Sequence, residues 1–317
     1  MKKLGVLGAG AFGTALALAY SHKFKVCLFS WFEDHVARMR ESRVNEFLSE
    51  VHIPNEIDID VVENLECDTF DYLLWVFPLK PTISLLEPLA DKLRGTTVII
   101  CSKGLMPGGE LLSNTFERWL PDSKVGYLAG PNFAYDIAKG NLSASDIVFA
   151  DYSDAVAVEH DLFTERLRLS PHSDLVGVQI CGAMKNVIAI ACGIAMGLSS
   201  SSNTHAAILT FALREMRNLG IAVGASESTF YGLCGVGDLI LTAFNEASRN
   251  FSFGMRIAAG ERAGDIIKSS NAVCEGYDTT ENVLALAKRY SVPIPICEAV
   301  HRILFEHQDP HTIFDVF

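Results

Sequence analysis

Four ionisable residues have the type and setting to do chemistry. Lys185 lies in Gln179-Ile-Cys-Gly-Ala-Met-Lys-Asn-Val-Ile-Ala-Ile-Ala-Cys-Gly193, a stretch with no other charge. A lysine in an apolar helix must carry its ammonium to an edge, find a partner or lose its proton. Burial and a nearby cation both lower its pKa toward the range useful for acid–base work. The ordinary alternative is a lysine on the one exposed edge of that helix. Asp238, in Gly235-Val-Gly-Asp-Leu-Ile-Leu-Thr242, could pair with Lys185 or simply cap a helix. Lys103 follows an apolar run in Cys101-Ser-Lys-Gly-Leu105, and ligands bind at the carboxyl ends of parallel strands. A solvated loop lysine is the plainer reading there. Arg249, in Ala247-Ser-Arg-Asn250, carries enough donors to grip a phosphate, or is a charged turn.

Gly8, Gly10 and Gly13 form Gly-Ala-Gly-Ala-Phe-Gly, a G-x-G-x-x-G turn. Gly8 permits the tight bend, Gly10 lets a pyrophosphate approach bare backbone, and Gly13 lets helix and strand pack closely. Amides and dipole at the helix start favour the anion. The motif is weak alone; its place between a strand and a helix supports dinucleotide binding. About twenty residues on, an NAD site usually offers a carboxylate to the ribose. Here Phe29-Ser-Trp-Phe-Glu-Asp34 puts neither acid nor base at the strand tip. Ser30 can hydrogen-bond either ribose form and Trp31 could cover the adenine, so NAD and NADP both stay open. The same amino-terminal run, Met1-Lys-Lys followed by an apolar stretch to Tyr20, imitates an export signal. Glycines at this spacing decide for strand, turn and helix.

The surrounding elements alternate. Strands are expected over 3–8, 25–29, 71–77, 96–101, 124–129 and 147–150, with helices over 14–21, 33–49 and 81–93. This is the pattern of a mainly parallel sheet covered on both faces. Beyond about Gly177 the spacing turns helical, over 179–198, 203–223, 227–242, 254–260 and 279–290. The fold class is therefore α/β: a Rossmann-like, mainly parallel sheet domain over 1–178, followed by an all-α domain over 179–317. The length of 317 residues suits two domains. An apolar content of 49% provides a core, and a net charge of −12 argues against a nucleic-acid or anionic-membrane binder. No membrane span is expected. The eight cysteines form no C-x-x-C pair and read as buried thiols of a reducing compartment.

Taken together, these segments resemble the bacterial-type NAD(P)-dependent glycerol-3-phosphate dehydrogenases over nearly the whole chain. The likeness runs through the glycine turn to Ala17, Val76-Phe-Pro78, Ser102-Lys-Gly-Leu105 and Gly130-Pro-Asn-Phe-Ala134. It continues through Val178-Gln-Ile-Cys-Gly-Ala-Met-Lys-Asn-Val-Ile-Ala-Ile190, Gly235–Thr242, Ser248-Arg-Asn250 and Val273-Cys-Glu-Gly-Tyr277. It implies interconversion of dihydroxyacetone phosphate and sn-glycerol 3-phosphate with NADH or NADPH, supplying phospholipid synthesis, by a cytoplasmic homodimer.

The resemblance also implies roles. Lys185 stands as general acid/base, with Lys103 and Asp238 beside it. Gly130, Asn132, Asn186, Thr242, Ser248, Arg249 and Asn250, with Lys103 and Lys185, match substrate contacts. Gly8, Gly10, Ala11, Phe12, Gly13, Ser30, Trp31, Lys103, Ala134, Arg249, Val273 and Glu275 match cofactor contacts. No metal is called for. Departures are Trp31, often Arg or His in the family; Asn132, usually Thr or Ser; Ser49 for Pro; and His205 for Arg. Two rivals remain: a two-domain dehydrogenase of hydroxy acids or sugar acids, and a non-catalytic dinucleotide sensor.

Overall fold

The computed structural model describes residues 1–66, 69–269 and 274–316. The chain divides into two compact units, Met1–Ser102 with Ser113–Leu175, and Lys103–Leu112 with Val176–Phe317.

Among the described residues, the first unit is built on an eight-stranded sheet in the order β3-β2-β1-β4-β5-β6-β7-β8. The strands are β1 Lys3–Leu7, β2 Lys25–Ser30, β3 Asp58–Val61, β4 Tyr72–Trp75, β5 Thr97–Ile100, β6 Val125–Ala129, β7 Ser143–Phe149 and β8 Leu167–His172. All neighbours run parallel except β6 and β7. The intervening helices are α1 Ala11–Tyr20, α2 Glu33–Ser42, α3 Thr82–Leu93, α4 Leu112–Trp119, α5 Ala134–Ala138 and α6 Tyr152–Leu162. Strands β4 and β6 are buried at every residue, as a sheet covered on both faces requires. The small residues of α1 bury Ala15, Leu16 and Ala17 and let it pack against α5.

The expected helix over 33–49 is shorter. It stops at Arg43, whose φ of 52° is left-handed, and Asn45 then caps a separate 3₁₀ turn, Glu46–Leu48. Strands β3 and β8 escaped the sequence reading. Both lie at sheet edges; Asp-Ile-Asp-Val offers little apolar run, and β8 carries Pro171, which edges tolerate.

The second unit is helical: α7 Leu175–Leu198, α8 Ser202–Val223, α9 Asp238–Ala243, α10 Arg249–Ala258, α11 Ala263–Ser269, α12 Glu275–Tyr290 and α13 Pro295–Phe305. Residues 177–195 of α7 are all buried. By length and composition α7 could cross a membrane, yet 89% of its apolar window is buried inside the protein, as in the core helix of a globular unit. It crosses α10 at bare backbone: a Cβ on Gly193 would collide with the Phe251 carbonyl, and one on Gly254 with the Ile190 carbonyl. The helix expected over 227–242 is broken into a 3₁₀ turn Glu227–Tyr231, a wide turn Leu233–Gly237 and α9. Glycine is the reason. Gly235 adopts φ −87°, ψ −107°, and its missing Cβ leaves room for the Phe230 backbone.

Candidate active site

In the first unit, the expected cofactor residues follow the carboxyl ends of neighbouring parallel strands. Gly8 follows β1 with φ +121°, and a Cβ there would meet the backbone of Val76 and Phe77 at 2.8–2.9 Å. A Cβ on Gly13 would collide with the Gly8 carbonyl, whereas one on Gly10 would meet nothing within 4 Å. The space over Gly10 is therefore open. Gly10 is also the N-cap of α1 and offers no side chain to its first amides. Ala11 and Phe12 open that helix, half-buried. An anion fits here, because bare N–H groups at a helix start face unfilled space.

Ser30 closes β2, and the Trp31 ring stands edge-on to Phe77 at 6.4 Å. After β6, a Cβ on Gly130 would meet the Ala144 carbonyl at 2.7 Å, and Ala134 begins α5. Asn132 donates to the Ala144 carbonyl (3.0 Å) and to Ser145 Oγ (2.7 Å). Its Oδ1 is buried without a protein partner, so it can still accept one hydrogen bond.

In the second unit, one carboxylate lies between two lysines. Lys185 Nζ is 2.5 Å from Asp238 Oδ1, and Lys103 Nζ is 3.1 Å from Asp238 Oδ2. Lys185, 4% exposed in mid-α7, and Asp238, 1% exposed at the start of α9, are both buried. Thr242, one turn along α9, donates its proton to the Asp238 carbonyl at 2.6 Å and accepts from Lys185 Nζ at 3.2 Å. Burial is the main cause that moves Lys185. Asp238 opposes it and the Lys103 cation adds to it, leaving the amine at about 7. Burial also weighs on Lys103, but the Asp238 carboxylate, with Lys185 and Glu275 beside it, outweighs burial and holds Lys103 above the ordinary lysine value. Asp238 stays below the ordinary carboxyl range, because its two lysines outweigh its burial. The cluster thus keeps one permanent cation beside one amine that titrates near neutrality. That separation of roles suits acid–base chemistry on a carbonyl or alcohol.

Other expected residues brace this cluster. Asn250 donates to Asn186 Oδ1 at 2.9 Å, while its own Oδ1 accepts from Gly276 N at 2.9 Å and from Cys274 Sγ at 3.1 Å. Asn186 in turn donates to Glu275 Oε2 at 3.4 Å. Ser248 accepts from Phe251 N and so caps α10. Arg249, the first residue of α10, is exposed. Val273 lies outside the described residues. His205 is buried, with Nε2 3.0 Å from the Ala243 carbonyl at the end of α9 and its ring stacked on Phe244 at 4.1 Å. The sequence marked His205 only as a departure; the structure ties it to the helix that carries Asp238 and Thr242. Glu215 gave no sequence signal at all. It reaches across from α8 to accept Ile296 N at 2.8 Å at the start of α13, and burial raises it to about 7.

A doubly wound sheet with a phosphate-ready glycine turn, joined to helices around a titratable lysine, defines a nicotinamide-dinucleotide-dependent oxidoreductase. Comparison with known proteins narrows the class. The pattern described as NAD-dependent glycerol-3-phosphate dehydrogenase N-terminus matches residues 3–155, and its C-terminus counterpart matches residues 174–315. The chain is 36% identical to glycerol-3-phosphate dehydrogenase (NAD(P)+) of Colwellia psychrerythraea, over 97% of this chain and 94% of that one. It is 38% identical to the protein of the same name from Thiobacillus denitrificans, over 96% and 94%. The crystal structure of glycerol-3-phosphate dehydrogenase from Coxiella burnetii superposes with a TM-score of 0.94 at 30% identity, covering 99% of this chain and 98% of that one. The chain belongs to the NAD-dependent glycerol-3-phosphate dehydrogenase family.

Proposed function

We propose that the protein interconverts dihydroxyacetone phosphate and sn-glycerol 3-phosphate, with Lys185 as the general acid and base. The observation that carries this reading is the buried amine at 2.5 Å from Asp238, titrating near 7. Residues 1–178 supply the dinucleotide domain and 179–317 most of the substrate domain, to which Lys103 also contributes. The open backbone over Gly10 fits a pyrophosphate, and Gly8, Ala11, Phe12, Gly13, Ser30, Trp31 and Ala134 would hold the dinucleotide. When bound, the reduced dinucleotide would supply a hydride for the ketone carbon.

As an ammonium, Lys185 has three protons. Asp238 and Thr242 accept two of them, and the third goes to the oxygen on which negative charge develops. After transfer the neutral amine still satisfies Asp238 and Thr242, and its lone pair faces the new hydroxyl, poised for the reverse reaction. Lys103 keeps its charge throughout. It stabilises the oxyanion and accounts for part of the lowering at Lys185. Asn132 Oδ1, the free acceptor, suits a substrate hydroxyl. Arg249, at the start of α10 beside the Ser248 cap, binds the phosphate, so that binding energy remote from the ketone orients it. Asn186 and Asn250 hold Glu275 and α10 in place around it. Resemblance to the family supports a cytoplasmic homodimer that feeds phospholipid synthesis.

The test is oxidation of NADH or NADPH by purified protein with dihydroxyacetone phosphate, followed by absorbance at the nicotinamide band. Lys185→Ala should lower turnover by at least about a hundredfold, the general-acid range, with an unchanged circular dichroism spectrum. Wild-type turnover in that folded variant removes Lys185 from the mechanism.

A further inference from the structure

The tip of β2 carries a hydrogen-bond relay whose direction is fixed. Asn45 donates through Nδ2 to the Ala9 carbonyl at 2.9 Å and to Thr14 Oγ1 at 2.6 Å. Its Oδ1 accepts from Phe47 N at 3.0 Å. A backbone acceptor on one side and a backbone donor on the other leave the amide a single orientation. His35 Nε2 stands 3.3 Å from that Oδ1, so Nε2 carries the ring proton. In the Nε2–H tautomer that this contact selects, Nδ1 is an acceptor, and Ser30 Oγ at 3.0 Å donates to it. Ser30 Oγ also receives Phe32 N at 3.3 Å. Ser30 therefore has no proton left to give, only a lone pair. All four side chains, Thr14, Ser30, His35 and Asn45, are buried.

Ser30 stands where sheets of this type recognise the adenosine ribose, about twenty residues after the glycine turn. A 2′-hydroxyl can donate to its lone pair. A 2′-phosphate presents acceptors to an acceptor, and an unmatched buried pair is unfavourable. The strand tip offers that phosphate no cation of its own: residues 29–34 contain neither Lys nor Arg, while Glu33 and Asp34 add negative charge to the first turn of α2. The arginines further along are turned elsewhere. Arg38 binds Glu46, Arg40 binds Asp60 and the Ile59 carbonyl, and Arg43 binds the carbonyls of Ile53, Pro54 and Ile57.

We infer that Ser30 is a specificity-determining residue, held as an acceptor by His35 and Asn45, and that it makes the chain select NAD(H) over NADP(H). The inference rests on the dinucleotide reading of the glycine turn. It is tested by calorimetric binding of ADP and of 2′,5′-ADP, neither of which requires turnover. The wild type should bind ADP at least about tenfold more tightly, the worth of one well-placed hydrogen bond to a charged or buried partner. Ser30→Ala, a one-atom deletion, should weaken ADP and bring the two affinities together. His35→Phe, which keeps a ring against Phe47 but frees the Ser30 proton, should shift the ratio toward 2′,5′-ADP. Should His35→Phe not fold, Ser30→Ala decides alone. Equal binding of both nucleotides by the wild type, or a ratio unmoved in the folded variants, overturns the inference while leaving the dinucleotide site intact. Failure of the wild type to bind ADP, 2′,5′-ADP and NADH overturns the dinucleotide reading itself.

Discussion

At the scale of single residues, direction of proton flow follows from the charge on Lys185. Ketone reduction needs the ammonium, so its rate should fall as pH rises through about 7. Alcohol oxidation needs the neutral amine, so its rate should rise across the same range. Asp238 is the group that opposes the lowering of Lys185. In Asp238→Asn only burial and the Lys103 cation act strongly on the amine, and the descending limb for reduction should move to lower pH. Stopped-flow or steady-state rates between pH 5.5 and about 9 would show it. A limb that stays in place in Asp238→Asn assigns the titration to some other group. The same variant should be less stable by about 3–5 kcal/mol, because it leaves buried Lys185 and half-buried Lys103 without their counter-charge.

At the scale of elements, the catalytic helix is placed by glycine. Gly193 and Gly254 let α7 and α10 touch through their backbones, and Gly197 sets a second contact on Ala258 one turn further. That crossing fixes α7, the helix that carries Lys185, against the helix that starts with Arg249. Gly193→Ala should force the two apart and destabilise by about 1–3 kcal/mol, the usual effect of overpacking. Gly264→Ala in α11 is the control, since Gly264 is exposed and a Cβ there would meet nothing within 4 Å. It should stabilise by up to about 1 kcal/mol through helix propensity. Urea midpoints for the two variants should move in opposite directions. The same elements show what local sequence can reveal. The run around Lys185 was legible because a lone charge in an apolar helix is conspicuous, and the glycine turn because its spacing is tied to a strand and a helix. The break in 227–242 was not, because the Phe230 carbonyl that occupies the place of a Gly235 side chain leaves no periodic trace. The relay from Asn45 to Ser30 was equally hidden: an asparagine and a histidine ten residues apart look like ordinary solvated side chains until the Ala9 carbonyl and Thr14 close over Asn45.

At the scale of the whole molecule, the chain does not pass from one unit to the other only once. It leaves the first unit after Ser102, contributes Lys103–Leu112 to the second, and returns at Ser113. Lys103 and Asp238 are 135 residues apart in sequence, and no local pattern signals such a pairing; both residues were visible, but Asp238 was read as a partner of Lys185 alone. The excursion is fastened along its length. Asn282 donates to the Leu105 carbonyl at 2.9 Å, Arg289 donates to the Gly108 carbonyl at 2.6 Å, and Gly109, with φ +76°, lies against the backbone of α12. Leu105 and Met106 are buried. A cut near the sequence-derived boundary should therefore fail to separate the protein. With a specific protease site inserted after exposed Ser173, the amino-terminal fragment would still hold residues 103–112 within the fold of the carboxyl-terminal one. The nicked protein should elute from gel filtration as one species and keep its activity, and it should come apart only in denaturant. Combining the nick with Asn282→Ala and Arg289→Ala removes two of the ties and should lower the urea concentration at which the fragments part. Two separate peaks in plain buffer, directly after cleavage, would show that residues 103–112 do not bind the carboxyl-terminal fragment as their contacts with α12 require.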